Sequence, residues 1–92
     1  MAYKKKEEQK VLVDIRKNER GDYIRTSSIR ADGEVSYDIR SMYTNADGEI
    51  AYTQKGVRIK KEMLKDIIPV IMHDLDPETF NEIIARINEE DE

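Results

Sequence analysis

The segment DGEVSYDIR, residues 32–40, contains the signals of a turn and of a strand in one stretch. Asp-Gly favours a tight hairpin turn, because Gly accepts the positive φ angle that such turns require. After the turn, Val35, Tyr37 and Ile39 alternate with polar residues. This period of two predicts a β-strand with one apolar and one polar face.

Two more glycine turns flank this strand, in Arg20-Gly21-Asp22 and in Asp47-Gly48. Helices would barely fit in the intervals between the turns, which therefore predict an antiparallel sheet that is covered on its apolar face. The four predicted strands are Lys10–Lys17, Tyr23–Arg30, Glu34–Tyr43 and Glu49–Ile59.

Two details of the strands can be predicted from their patterns. Val11, Val13 and Ile15 alternate with other residues and are assigned to one face of the first strand. Gly56 interrupts the fourth strand, and we expect a β-bulge there that turns Lys55 away from the core.

The period changes after Lys60, where apolar residues recur at helical spacing and predict an amphipathic helix over Lys61–Leu75. Pro69 lacks a backbone N–H and should kink or break this helix. A second helix is predicted to begin with Asp76 as its N-cap and Pro77 at its first position. The fold class is therefore α+β, a sheet followed by a kinked or broken helical region.

The chain has 92 residues and no cysteine, which favours one small domain in a reducing compartment. We expect a flexible tail over residues 1–9, a single domain over 10–88 and a frayed acidic tail over 89–92. No apolar stretch is long enough to predict a membrane span.

The net charge of −4 is unevenly distributed along the chain. Residues 1–60 carry 13 Lys or Arg against 10 Asp or Glu, whereas residues 61–92 carry 3 against 10. The predicted sheet is therefore basic and the predicted helices are acidic, so the overall charge does not exclude a polyanionic ligand.

The helices carry more large apolar side chains than one face of a small sheet needs. Small chains often complete a marginal core by oligomerising, so the excess predicts a homodimer. The alternative is that the second helix packs on the first. The residues predicted to form the dimer interface are Met63, Ile67, Ile68, Ile71, Met72 and Leu75.

The sequence resembles the positive cofactor four family of transcriptional coactivators and their small bacterial and phage relatives, which bind single-stranded DNA. The resemblance spans about Tyr23 to Leu75 and is carried by YDIR at 37–40, an aromatic at Tyr43, the Asp47-Gly48 turn and KGVRI at 55–59. It implies a homodimer whose helices pair across a two-fold axis and whose curved sheets bind unpaired strands.

Three residues match positions that contact DNA in that family. The resemblance implies that Arg40 and Lys55 contact the phosphate backbone and that Tyr43 replaces a tryptophan on which a base stacks. Ala51 stands where the coactivators carry a lysine, and Ala31 where they carry a phenylalanine. Tyr52 is the nearest replacement for the missing aromatic ring.

Basic residues and aromatic rings are together what single-strand binders without sequence preference use. The predicted contact residues are Arg16, Arg25, Arg30, Arg40, Tyr43, Tyr52 and Lys55. Five neutralised phosphates would make log affinity fall with log salt at a slope of about −3.5. The predicted function is low-specificity binding of single-stranded DNA, or of RNA, in transcription, replication or repair, with transcription or replication proteins as further partners.

Two other functions are compatible with parts of this sequence. The basic sheet of a protein-interaction module could instead bind an acidic protein partner. A hydrolase using Asp38 and His73 has no supporting motif; Asp14 and Asp38 are interpreted as partners of their neighbouring arginines. We expect no enzymatic activity, no cofactor and no metal site. The expected location is the cytoplasm of a bacterium, at the nucleoid, or the nucleus if the source is eukaryotic.

Overall fold

The computed structural model describes residues 7–90. They form four strands and two helices in the order β1 (Glu7–Arg16), β2 (Tyr23–Ala31), β3 (Glu34–Thr44), β4 (Ile50–Lys60), α1 (Lys61–Asp74) and α2 (Pro77–Glu90). The α+β prediction is thus confirmed. The chain forms two compact units, one ending at Lys61 and the other beginning at Glu62. The single domain predicted over 10–88 stays a prediction.

The boundary predictions differ from the structure mainly at the two ends. β1 begins at Glu7 rather than Lys10, and α2 continues to Glu90, so the described parts of both predicted tails lie in regular structure. Residues 1–6 of the predicted N-terminal tail and residues 91–92 of the acidic tail lie outside the described residues.

The sheet is an antiparallel meander in the order β1-β2-β3-β4. The turn between β2 and β3 contains only Asp32 and Gly33, whose φ angles of 52° and 77° are both positive. Two positive φ angles are the mark of a type I′ turn, whose twist matches that of the strands it joins. The hairpin predicted from DGEVSYDIR is therefore confirmed.

The predicted bulge is present in β4, over residues 53–55 directly before Gly56 and not at Gly56 itself. The register between β3 and β4 shifts between the pairs Arg40–Gly56 and Met42–Tyr52. A Cβ atom at position 56 would lie 2.8 Å from the backbone oxygen of Ile39 and 2.9 Å from the Cα of Arg40. Glycine is required there because the two backbones approach too closely for a side chain.

A second bulge, in β1, was not predicted. The register between β1 and β2 shifts between Val11 and Val13, so Val11 pairs with Ser27 while Val13 pairs with Thr26. Ser27 and Thr26 are neighbours on one strand and point to opposite faces. The assignment of Val11 to the same face as Val13 and Ile15 is therefore wrong, because the extra residue Leu12 reverses the alternation.

The pairing register defines two faces of the sheet, since directly paired residues share a face. We call one the concave face, because side chains of the edge strands meet across it: Gln9 of β1 contacts Tyr52 of β4, and Glu7 contacts Arg58. Its residues include Asp14, Arg25, Ser27, Ile29, Asp38, Arg40, Met42, Tyr52 and Arg58. The opposite, convex face includes Val13, Ile15, Ile24, Val35, Tyr37, Ile39, Val57 and Ile59.

The most buried side chains of the sheet lie on the concave face, not on the more apolar convex one. Ile29, Met42, Ser27 and Asp38 are all at most 3% exposed, whereas Ile39 on the convex face is 38% exposed. Curvature explains the difference, because it crowds side chains together on the concave side and spreads them apart on the convex side. Within one chain, the most buried side chains of the sheet unit therefore lie on the face that carries Arg25 and Arg40, and the covering of the apolar face stays a prediction.

The helical unit has the predicted break, and its position is set by Asp76. The Asp76 carboxylate accepts a hydrogen bond from the Thr79 backbone N–H at 2.9 Å, which is N-cap geometry. Pro77 then occupies the first helical position, as predicted. Pro69 lies inside α1 without ending it. Within residues 7–90, neither helix is long and apolar enough to cross a bilayer.

Candidate nucleic-acid interface

The seven predicted contact residues do not share one surface. Arg16, Arg25, Arg40 and Tyr52 belong to the concave face by their register. Arg30 and Tyr43 pair with Val35 and Ala51 on the convex side of the sheet. Lys55 lies within the bulge of β4 and is exposed. The structure therefore brings one guanidinium–aromatic cluster together and leaves three predicted residues apart from it.

Arg25 is held by Asp14, directly across the β1–β2 pair. Its Nε and Nη2 atoms donate to the two carboxylate oxygens of Asp14 at 2.8 and 2.9 Å. Such a two-pronged pair is the strongest geometry between these groups. It lowers the pKa of Asp14 and raises that of Arg25. The sequence interpretation that Asp14 pairs with its chain neighbour Arg16 is wrong, because the cross-strand position of Arg25 is better aligned.

Tyr52 lies next to this pair. The Cζ atom of Arg25 is 5.8 Å from the centroid of the Tyr52 ring, within the range of a cation–π contact. The Tyr52 hydroxyl accepts a hydrogen bond from Nε2 of Gln9 at 3.4 Å. Tyr52 is nevertheless 56% exposed. It is an accessible ring that residues of two other strands contact.

Arg40 forms the second two-pronged pair on the concave face. Its Nε and Nη2 atoms donate to Asp38 at 2.9 and 2.8 Å, and Nη1 donates to the carbonyl oxygen of Thr53 at 3.2 Å. The interpretation of Asp38 as a partner of Arg40 is confirmed. A guanidinium has five N–H groups, so these three bonds leave two for a ligand.

Asp38 is the most deeply buried charged group in the described part of the sheet. Its side chain is 5% exposed and also lies 3.8 Å from Nε of Arg58. The hydrogen bonds from Arg40 are the main cause of its lowered pKa, and the charge of Arg58 adds to the effect. Arg58 was not among the predicted site residues; its place in KGVRI, three residues after Lys55, is the only sequence signal that could have indicated it.

The other predicted cations are placed differently. Arg16 donates to the carbonyl oxygens of Asn18 and Glu19, both at 2.9 Å, and so closes the β1–β2 connection. Arg30 and Lys55 are exposed and form no ion pair with another residue of the described range. A polyanion could therefore bind these two positive charges without breaking an ion pair within residues 7–90.

The residues predicted for the dimer interface fall into two groups. Met63, Ile68 and Ile71 are each at least half exposed. Ile67, Met72 and Leu75 are half-buried. No residue of α1 is fully buried. Three of the six predicted interface residues therefore have exposed apolar side chains.

The two residues considered for a hydrolase belong to different elements of the structure. His73 lies in the last turn of α1, whereas Asp38 is a strand residue buried against arginines. Residues 7–90 contain no group of three or more His, Asp and Glu side chains that could hold a metal ion. No pocket was found in the structure as described.

The fold is shared with solved structures of PC4 homologues. One is BPSL1147, a PC4 homolog from Burkholderia pseudomallei K96243, which is 26% identical in both of its crystal forms. The tetragonal form gives a TM-score of 0.61 over 71% of this chain and 94% of the homolog, and the orthorhombic form gives 0.60 over 78% and 92%.

A second neighbour is the bacteriophage T5 homolog of the eukaryotic transcription coactivator PC4, which is implicated in recombination-dependent DNA replication. It is 17% identical, with a TM-score of 0.66 over 91% of this chain and 97% of the phage protein. No family model and no curated protein matches the sequence. The resemblance to the small bacterial and phage branch of the positive cofactor four family is confirmed by these neighbours.

Proposed function

We propose that this chain, whose structural neighbours are PC4 homologues, is a homodimeric protein that binds single-stranded DNA with low sequence specificity. The observation that carries the proposal is the clustering of Arg25, Arg40 and the exposed ring of Tyr52 on one curved face of the sheet. Guanidinium groups beside an accessible ring suit a ligand that has both phosphates and unpaired bases. The fold of the PC4 homologues supports the same function.

The ion pairs of the concave face change the expected salt dependence. Arg25 and Arg40 are each neutralised by an aspartate, so phosphate binding there releases fewer counterions than five free cations would. If Arg16 and Lys55 supply the uncompensated charges, the slope of log affinity against log salt should be about −1.4. Arg40 then contributes its remaining N–H groups as hydrogen-bond donors rather than as net charge.

Binding of a labelled oligo-thymidine and of a duplex of equal length, each at several salt concentrations, tests the proposal. The variant Lys55→Gln removes a charge that has no ion pair in the described structure. It should weaken binding to the single strand and reduce the steepness of the slope by about 0.7, the value for one phosphate contact. The matched control, Lys65→Gln, removes one charge from α1 and should leave the slope unchanged.

Equal and weak binding of both nucleic acids by the unaltered protein would contradict the proposal. That result would favour the protein-interaction module, in which the basic residues bind an acidic protein.

The homodimer is tested separately by light scattering. We expect about twice the monomer mass of 10.8 kDa. Ile68→Glu should lower the mass to that of the monomer, because it places a charge within the predicted interface. Val70→Glu is the matched control: Val70 is 68% exposed on the same helix and is not a predicted interface residue. A mass of 10.8 kDa for the unaltered protein would contradict the dimer.

A further inference from the structure

We propose that Tyr52 is a platform on which one unpaired base stacks, and that Asp14 and Arg25 are positioning residues that hold its ring. Arg25 thus acts on the base through Tyr52 and is not a phosphate ligand. The inference rests on the proposed function and assigns different roles within its site.

Arg25 is already committed within the protein. Two of its nitrogen atoms donate to both oxygens of Asp14, and its side chain is 16% exposed. The guanidinium stays charged, but the Asp14–Arg25 pair as a whole has no net charge that could attract a phosphate. Opening the pair would expose the carboxylate to the incoming anion. The charge of Arg25 alone suggests a phosphate contact, but its pairing with Asp14 makes it poorly suited to one.

The same pairing makes Arg25 suitable for holding a ring. Asp14 fixes the guanidinium, which lies 5.8 Å from the centroid of Tyr52, and Gln9 binds the hydroxyl at the far end of the ring. Residues of β1 and β2 thus hold a side chain of β4 at two points. A side chain that is ordered before binding loses less conformational entropy when a ligand arrives.

The exposed part of Tyr52 determines what can bind there. More than half of the residue is exposed, although a guanidinium already lies against its ring. An aromatic ring stacks on any nucleobase, because every base has a π-face, and a neighbouring arginine adds to such stacking. An unpaired base is the ligand that fits a ring surrounded by polar groups, and a base within a duplex is not available to it.

The two possible roles of Arg25, binding phosphate or positioning Tyr52, predict opposite effects of Asp14→Asn on affinity. If Arg25 binds phosphate, removing the carboxylate frees a cation, so affinity should rise and the salt slope should steepen. If Arg25 positions Tyr52, the loss of Asp14 loosens the guanidinium and the ring together. Affinity for oligo-thymidine should then fall about tenfold, within the range that one stacked base contributes, while the salt slope stays unchanged.

The experiment compares oligo-thymidine with an abasic strand of equal length, which has the phosphates but no bases. Asp14→Asn should weaken only the binding of oligo-thymidine. Asp47→Asn is the matched control, because it removes the same charge from the exposed turn before β4. This control should weaken the binding of neither oligo-thymidine nor the abasic strand. In a Tyr52→Ala background, Asp14→Asn should cause no further loss, since the ring through which it acts is gone.

Two results would overturn the inference while leaving the proposed function intact. One is tighter, more salt-sensitive binding of both strands by Asp14→Asn. The other is a Tyr52→Ala variant that discriminates between oligo-thymidine and the abasic strand as well as the unaltered protein does; this variant keeps the test valid if Asp14→Asn fails to fold. If the unaltered protein does not prefer single strands to duplex, the proposed function itself fails.

Discussion

Replacing Asp38 by asparagine should destabilise the sheet unit by about 3 kcal/mol. Removing one partner of a buried ion pair costs about 3–5 kcal/mol, because the other charge stays buried without its counterion. The Asp38 side chain is 5% exposed, but its partner Arg40 is 21% exposed and keeps some hydration, which indicates the lower end of that range. Asparagine can accept from one N–H of Arg40, while its own NH₂ group faces the other donor.

The second two-pronged pair provides an internal comparison. Asp14 and Arg25 meet at the same distances, but the Asp14 side chain is 26% exposed. Water compensates a partly exposed charge more effectively, so Asp14→Asn should cost about 1 kcal/mol, as expected for a solvent-screened pair. The structure therefore predicts that two chemically identical substitutions differ in cost by about 2 kcal/mol.

Urea denaturation monitored by tyrosine fluorescence measures the difference in unfolding free energy between Asp38→Asn and Asp14→Asn in the sheet unit. All five tyrosines precede α1, so their fluorescence reports on the sheet unit, whereas circular dichroism at 222 nm is dominated by the helices. Protein concentration is kept constant, because a dimer would couple stability to it. Equal losses for the two variants, or a loss below about 1 kcal/mol for Asp38→Asn, would refute the argument from burial.

The pH dependence of the stability that Asp38→Asn loses gives a second test. The pKa of Asp38 is lowered in the folded protein, chiefly by its hydrogen bonds from Arg40. Its stabilising contribution is therefore complete above the ordinary carboxyl pKa of about 3.9 and is lost as the pH falls through the folded value. The gap between the unaltered protein and Asp38→Asn should be constant from pH 5 to 8 and should close in more acidic solution. A gap that widens on acidification would contradict this sign.

Three further substitutions test the bulge and the helices. Gly56→Ala should cost about 1–3 kcal/mol of sheet stability in urea, because its Cβ would meet the backbone of Ile39; a neutral effect would contradict the close approach. Asp76→Ala removes the cap on the N–H of Thr79 and should lower the thermal midpoint of the helices by circular dichroism, with Asp76→Ser retaining most of their stability. Pro69→Ala restores a backbone donor inside α1 and should raise the thermal midpoint at 222 nm; a lower midpoint would show that proline is favoured there.

Much of the fold could be predicted because its signals are local. The two-residue turn at Asp32 and Gly33 needs only a dipeptide that tolerates positive φ, and the cap at Asp76 acts three residues along the chain. Alternation in β3 and helical spacing in α1 are likewise properties of neighbouring residues. The predicted Gly56 bulge belongs to the same class, because a glycine interrupts an otherwise alternating strand.

The candidate site was predicted less completely, because its contacts join residues far apart in sequence. Asp14 and Arg25 are 11 residues apart, and Gln9 and Tyr52 are 43 apart. Sequence alone identified arginines and tyrosines as the relevant residue types. It did not indicate that Arg25 is neutralised or that Tyr43 and Tyr52 belong to different faces, since both depend on the register between strands.

The sequence by itself determined the order of strands and helices, the tight turn at residues 32–33 and the separation of a basic sheet from acidic helices. Each of these follows from the conformational preference of a short segment or from a count of charges. Only the tertiary structure decided which face of the sheet is crowded, which arginines are paired and which ring is held. Those outcomes depend on curvature and on a single extra residue in β1, and no local pattern encodes where distant side chains meet.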